Sequence, residues 1–281
     1  MRRKKKSNLR RAILLIPALL LLFTAVQFVY PDVSELKTKN PEKTAFMSYR
    51  EKEWEREGKK YRVNQKWVPL RAISPYLVKA VLIGEDDKFW SHEGFDYEAM
   101  QKALEKDIKA KKFKLGGSTI SQQLAKNLYL SPSKNPLRKI REAIITWRME
   151  RAVSKKRILE LYLNVAEWGD RGIFGIEAAS RKYYGKSAAA LGPEEAARLA
   201  SILPNPRKFN PLGSQRYVLH RSNLIYKIMV RRGIVVPEYE EVSEPAEGTE
   251  AQTVTLPESP LPESPVGDAE PKGFERPDTG Q

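Results

Sequence analysis

The stretch GGSTISQQLAKNLYL, residues 116–130, reads in two ways at once. As local structure, Thr119 followed three residues later by Gln122 is a capping box, so a helix should begin at Ile120 and run through ISQQLAKNLYL. As chemistry, two glycines running into a hydroxyl-rich helix start leave free backbone N–H groups, which bind anions readily. Ser118, Thr119, Gln122, Gln123, Lys126 and Asn127 crowd hydroxyls, amides and one cation onto about two turns, within reach of a phosphate or a sugar. A capped loop alone would also account for the glycines and Thr119, so both readings stay open at this point.

Outward from this segment, helix signals recur and strand signals are scarce. Ser74-Pro75 reads as an N-cap with a first-turn proline ahead of PYLVKAVLIGED. Asp96 can cap a helix over residues 97–111, and Asn135-Pro136 opens LRKIREAIITWRMERAV, where Ile140, Ile144 and Trp147 recur at helical spacing. Ser154 starts KKRILELYLN, Gly185 stops IFGIEAASRKYY, Pro193 opens EEAARLASIL, and residues 215–232 form a last amphipathic helix ended by Gly233. Residues 59–70 are the one candidate for a short strand pair. The fold class expected is mainly α.

Composition narrows the chemistry. The chain has 281 residues, no cysteine and two histidines, which excludes disulfides, a thiol nucleophile and thiolate metal centres and disfavours a His-based zinc site. Neither a P-loop nor a dinucleotide-binding glycine pattern occurs. Ser131 and Lys134 match SxxK, but no SDN or KTG partner follows, so the match is coincidental. The formal net charge of +15 calls for an anionic partner.

The ends of the chain differ from its middle. Residues 1–11 hold seven bases and no acid, and residues 12–30, AILLIPALLLLFTAVQFVY, hold no charge. Nineteen helical residues span about 28 Å, enough for a bilayer core. The run is long for a signal peptide and lacks a small-residue cleavage site, which favours an uncleaved transmembrane anchor. The basic flank stays cytoplasmic, so everything beyond Tyr30 is placed outside and a nucleic-acid partner is disfavoured. Residues 31–43 read as a linker and 44–236 as the folded domain. Residues 237–281 carry twelve acids, two bases, eight prolines and the tandem LPESP-LPESP, and read as a disordered acidic tail. With the whole chain at +15 and this tail at −10, residues 1–236 carry +25, or +18 once the seven N-terminal bases are set aside.

Two further polar stretches stand out. Glu85 and Asp86 end the apolar run 78–83, where acids oppose the helix dipole and a carboxylate beside apolar groups would have the raised pKa of a general base or acid. Taken alone, such a pair is more often a solvated helix end. Arg138 and Lys139 precede Glu142 by four and three residues, so all three share a face. That is either an exposed ion pair or a cationic clamp for a pyrophosphate, with Glu142 orienting the cations or helping to hold a divalent ion. Lys102, Lys106, Lys109, Lys111, Lys112 and Lys114 add a basic stripe suited to solvent or to anionic lipid headgroups.

In order, these stretches resemble the peptidoglycan glycosyltransferase family. Its EDxxFxxHxG is met by Glu85, Asp86, Phe89, His92 and Gly94, its GGSTxxQQxxKN by residues 116–127, and its RKxxE by Arg138, Lys139 and Glu142. KxxILExYLN is met through Glu160 and Asn164, with Lys155 as the matching lysine in place of Lys156. The Gly-to-Lys element from Gly175 to Lys186 and LPNPxxFNP from Leu203 to Pro211 complete the set. Similarity covers residues 44–232, and without a transpeptidase domain the chain is most similar to the family's monofunctional members.

The resemblance implies a lysozyme-like, two-lobed helical domain behind a single N-terminal transmembrane helix, with a jaw that dips into the membrane. Its substrates would be lipid II and the nascent glycan chain. Growing strands would pass from undecaprenyl pyrophosphate to the 4-hydroxyl of lipid II, forming β-1,4 bonds with inversion. Glu85 would be the base. Lys126 and Lys139, with Glu142 and a divalent cation such as Mg²⁺ or Mn²⁺, would stabilise the departing pyrophosphate, and no organic cofactor is implied. Asp86, Ser118, Thr119, Gln122, Gln123, Asn127, Lys134 and Arg138 would line the substrate groove. Lys134 stands where many members carry arginine and keeps the charge without the bidentate fork. Membrane lipids and other cell-wall synthases or division proteins would be its partners. A glycan-cleaving enzyme on a similar fold and a non-catalytic membrane scaffold are the alternatives.

Overall fold

In the computed structural model the described residues are 29–110, 117–132 and 136–235, with Leu15 and Val26 standing alone ahead of them. The basic start, nearly all of the expected anchor, the lysines at 111, 112 and 114, Lys134 and the acidic tail lie outside these. Among the described residues no helix is long and apolar enough to cross a membrane.

The domain is mainly helical. Nine α-helices are found among the described residues: α1 Ala45–Arg56, α2 Pro75–Glu85, α3 Tyr97–Ala110, α4 Ile120–Tyr129, α5 Pro136–Ala152, α6 Lys155–Val165, α7 Ile176–Tyr184, α8 Pro193–Ile202 and α9 Arg216–Arg231. The expected caps explain most boundaries. The Thr119–Gln122 box closes at both ends, Asp96 accepts the Ala99 N–H at 2.9 Å, and Gly185 takes a left-handed turn that ends α7. Ser74 departs from expectation: its hydroxyl donates to the Leu191 carbonyl at 2.7 Å and caps nothing, leaving Pro75 to start α2.

Two expectations need correction. Helix α1 was not foreseen, because its sequence AFMSYREKEWER mixes charges with a narrow apolar face. Thr44 caps it through the Met47 N–H at 3.0 Å, and Met47 and Trp54, seven residues apart, are buried. The strand pair over residues 59–70 is absent: among the described residues there are two isolated bridges, Asn64 with Ile173 and Glu167 with Phe174. That segment is instead strapped onto α6. Asn164 accepts the Val68 N–H and donates to the Val68 carbonyl, both at 2.9 Å, while Glu160 accepts the Leu70 N–H at 2.8 Å. Side chains thereby satisfy backbone groups that a sheet would otherwise pair.

Two sets of helices define the interior. Helices α2, α8 and α9 pack together, and α4 packs on α1, α5 and α6. Ile120, Leu124 and Leu128 of α4 are buried at successive turns, each contributing about 2 kcal/mol of apolar burial. Ser121, Gln122 and Asn127 are buried as well, so α4 is enclosed on nearly all sides. A helix so enclosed carries polar side chains only where they find partners or face a cleft.

Candidate active site

The C-terminus of α2 meets α4 through two adjacent carboxylates that do different things. Asp86, buried, accepts the Ile120 N–H at 2.9 Å and lies 2.9 Å from His92 Nε2, while His92 Nδ1 accepts the Gly94 N–H at 3.0 Å. Both Asp86 oxygens are thus engaged within the protein, which gives this residue a bracing position beneath the site. Thr119 and Gln122 are likewise engaged, in the capping box and, for Thr119, in a 2.6 Å bond to the Gly94 carbonyl.

Glu85 points the other way. Its Oε2 accepts from Gln123 Nε2 at 2.9 Å and its Oε1 from Arg221 Nη2 at 3.1 Å; the same Nη2 also reaches the Gly84 carbonyl at 2.6 Å. Burial pushes the Glu85 carboxyl above the usual glutamate range, and Gln123, Arg221 and Lys126 pull it partly back. A carboxylate with two donors and a raised pKa is a competent proton acceptor.

Beyond Gln123, one side of α4 opens on a cleft of about 320 Å³. Gln123, Lys126, Asn127 and Tyr162 line it with Phe46, Arg50 and Glu167 and with the segment Leu203, Pro204, Asn205, Pro206 and Arg207. The Lys126 ammonium makes no hydrogen bond or ion pair among the described residues. Burial draws its ammonium below the ordinary lysine range; Glu142 opposes this, Arg138 and Lys139 add to it, and Glu85 opposes it. A half-buried ammonium with no direct hydrogen-bond or ion-pair partner suits an anionic ligand.

Helix α5 supplies the rest. Glu142 is buried, paired with Lys139 and with Arg138 at 3.2 Å, and Lys139 Nζ lies 3.4 Å from Ser118 Oγ. The RKxxE residues are therefore brought beside the hydroxyl-rich turn, and Glu142 acts as the anchor of two cations. A resident divalent ion is poorly served here. Both Glu142 oxygens already face cations, and among the described residues no group of three or more histidines or carboxylates gathers.

A family model described as Transglycosylase matches residues 51–230 of the chain. The chain belongs to the transglycosylase family. It is 49% identical over 216 residues to the biosynthetic peptidoglycan transglycosylase of Azoarcus sp. strain BH72, covering 77% of this chain and 92% of that protein. To the protein of the same name from Dechloromonas aromatica it is 55% identical over 171 residues, 61% of this chain and 74% of the relative. To that of Aromatoleum aromaticum it is 47% identical over 226 residues, 79% and 98% of the two chains.

Several site residues of this family member escaped the sequence reading. Arg221 lies on the last amphipathic helix with no motif to mark it, and Tyr162 falls within the KxxILExYLN match without a role attached. Arg50 grips Glu167 at 3.0 and 2.9 Å on one wall of the cleft, and Arg207 reaches Glu53 at 2.9 Å. Nothing in the local pattern of Arg50 or Glu167 marks the pair, since the two lie 117 residues apart. Lys155 is the inward lysine, bonded to Glu150 at 2.8 Å, whereas Lys156 is exposed.

Proposed function

We propose that the chain polymerises peptidoglycan glycan strands, moving the growing chain from undecaprenyl pyrophosphate onto the 4-hydroxyl of lipid II. The observation that carries this reading is a donor-held carboxylate, Glu85, bonded to Gln123, which lines the cleft together with the ammonium of Lys126 one helical turn further on.

Glu85 takes the proton of the acceptor 4-hydroxyl. The oxygen attacks the anomeric carbon of the growing chain as the bond from that carbon to the pyrophosphate oxygen breaks, which inverts the centre. Negative charge collects on the departing undecaprenyl pyrophosphate, and Lys126, Lys139 and Arg138 meet it, with Ser118 and the N–H groups ahead of α4 nearby. Preorganised cations in a partly dry groove are worth about 10²–10³-fold in rate per group, and a general base adds about 10²–10⁴-fold. A Mg²⁺ or Mn²⁺ requirement would rest on the pyrophosphate oxygens of the substrate. Asp86 and Glu142 hold the machinery in place.

Both groups bonded to Glu85 donate to it, which favours the ionised form. A glycan-cleaving enzyme needs a protonated acid there, so the hydrogen bonding favours synthesis. The lysozyme-like two-lobed architecture fits the two packed helix sets. A site at a membrane surface on the extracytoplasmic side is supported by α3, where Tyr97, Met100, Leu104 and Ile108 are exposed at helical spacing. It is further supported by Arg148, which donates to the carbonyl of Val29 at the end of the apolar run.

The test is detergent-solubilised full chain incubated with labelled lipid II and Mg²⁺, alongside Glu85→Gln. Muramidase-sensitive polymer from the parent chain and none from the variant is the expected result. Soluble fragments released from finished glycan would replace synthesis with cleavage.

A further inference from the structure

Gln123 stands between two groups, and its orientation matters to both. An amide presents either its NH₂ or its carbonyl to a neighbour. With the NH₂ toward Glu85 it stabilises a carboxylate; with the carbonyl toward Glu85 it would repel a carboxylate and accept from a carboxylic acid. Nothing on α4 itself chooses between these. An ionised Glu85 calls for the NH₂, which it accepts at 2.9 Å through Oε2, and the Tyr162 hydroxyl on α6 secures that orientation by donating to Gln123 Oε1 at 3.0 Å.

We propose that Tyr162 is a positioning residue that acts through Gln123 to hold Glu85 as an aimed, ionised base. This rests on the assignment of Glu85 as the base of the proposed reaction. Tyr162 is 1% exposed, so its ring is locked by packing, and Gln123 Oε1 is the one partner of its hydroxyl among the described residues. Burial holds the phenol well above the ordinary tyrosine range, with Glu85 and Asp86 reinforcing this, so the hydroxyl keeps its proton and remains a donor at any pH of interest. With Glu85 ionised, the bonds run one way, from Tyr162 to Gln123 to Glu85.

The other groups facing Glu85 do not duplicate this. Arg221 from α9 donates to Oε1, Lys126 from α4 acts through space, and Asp86 next in sequence is engaged by His92 and Ile120. Arg221 leaves Oε2 to Gln123 alone. Loss of the Tyr162 hydroxyl would free the amide to rotate, and Oε2 would lose its dedicated donor for part of the time.

Tyr162→Phe keeps the ring and removes the one hydroxyl. The expected result is an acid limb of the rate profile displaced upward by about one pH unit, so that polymerisation falls roughly tenfold on that limb and less towards the plateau, with the alkaline limb unmoved. The thermal midpoint serves as the folding control. Gln123→Met approaches the same link from the other side and should displace the same limb. Combining the two substitutions should add little to Gln123→Met alone, because both break one chain. A Tyr162→Phe profile superimposable on the parent's, or a loss uniform across pH and additive with Gln123→Met, would overturn the proposal while leaving Glu85 as the base. Full activity in Glu85→Gln would overturn both.

Discussion

Asp86 accepts the backbone N–H of Ile120 at 2.9 Å, so the residue beside the candidate base is tied to the first turn of the helix that carries Gln123 and Lys126. This one bond sets the distance between the end of α2 and the start of α4. It converts two locally specified elements into one site.

Removing it should cost stability as well as activity. Asp86→Ala leaves a buried N–H without an acceptor and deprives His92 of its partner, a loss of about 2–3 kcal/mol. The thermal midpoint should drop by about 5–10 °C. Asp86→Asn, which retains an acceptor, should lose less than half as much in the same calorimetric scan.

The pH profile should be bell-shaped and narrower than ordinary side chains would give. Burial raises Glu85, so its carboxylate form, needed for proton abstraction, disappears as pH falls through a value above the usual glutamate range. Burial lowers Lys126, so its charge disappears as pH rises through a value below the usual lysine range. Lys126→Arg should push the alkaline limb upward and leave the acid limb alone, because guanidinium does not titrate there. Lys126→Ala should reduce the rate by about 10²–10³-fold across the whole range. Initial rates of lipid II consumption from pH 5 to 10 check both.

Glu142→Gln removes a buried charge from between Arg138 and Lys139. Those two are partly solvated, at 25% and 45% side-chain exposure, so the cost to stability is about 1–2 kcal/mol rather than that of a fully buried pair. The larger effect should be kinetic, since both cations lose their aim. Raising Mg²⁺ should not restore the rate, which polymer formation against a metal titration would read.

Gly172→Ala should prevent folding or destabilise the domain by more than about 3 kcal/mol. Gly172 has φ +89°, and a Cβ there would lie 2.1 Å from the Arg62 carbonyl oxygen. Circular dichroism melts of the variant would show the loss, and an unchanged midpoint would contradict this placement of the segment on Asn64.

What could be read directly followed from short-range physics. Eight helices were legible because 3.6-residue periodicity and capping chemistry act within one or two turns, as at Thr119, Asp96 and Gly185. Glu85, Lys126 and Glu142 could be singled out because each is chemically odd for its local setting. Helix α1 was missed because its charges mask a narrow apolar face.

The linear chain by itself determined which segments coil and which side chains could do chemistry, because those properties depend on near neighbours. Tertiary structure alone decided that Arg221 reaches Glu85 across 136 residues, that Tyr162 donates to Gln123, and that Asp86 is tied to Ile120 and His92 while Glu85 meets Gln123 and Arg221. Those outcomes depend on how helices cross and on which donors a buried carboxylate finds, and no local pattern encodes a packing angle.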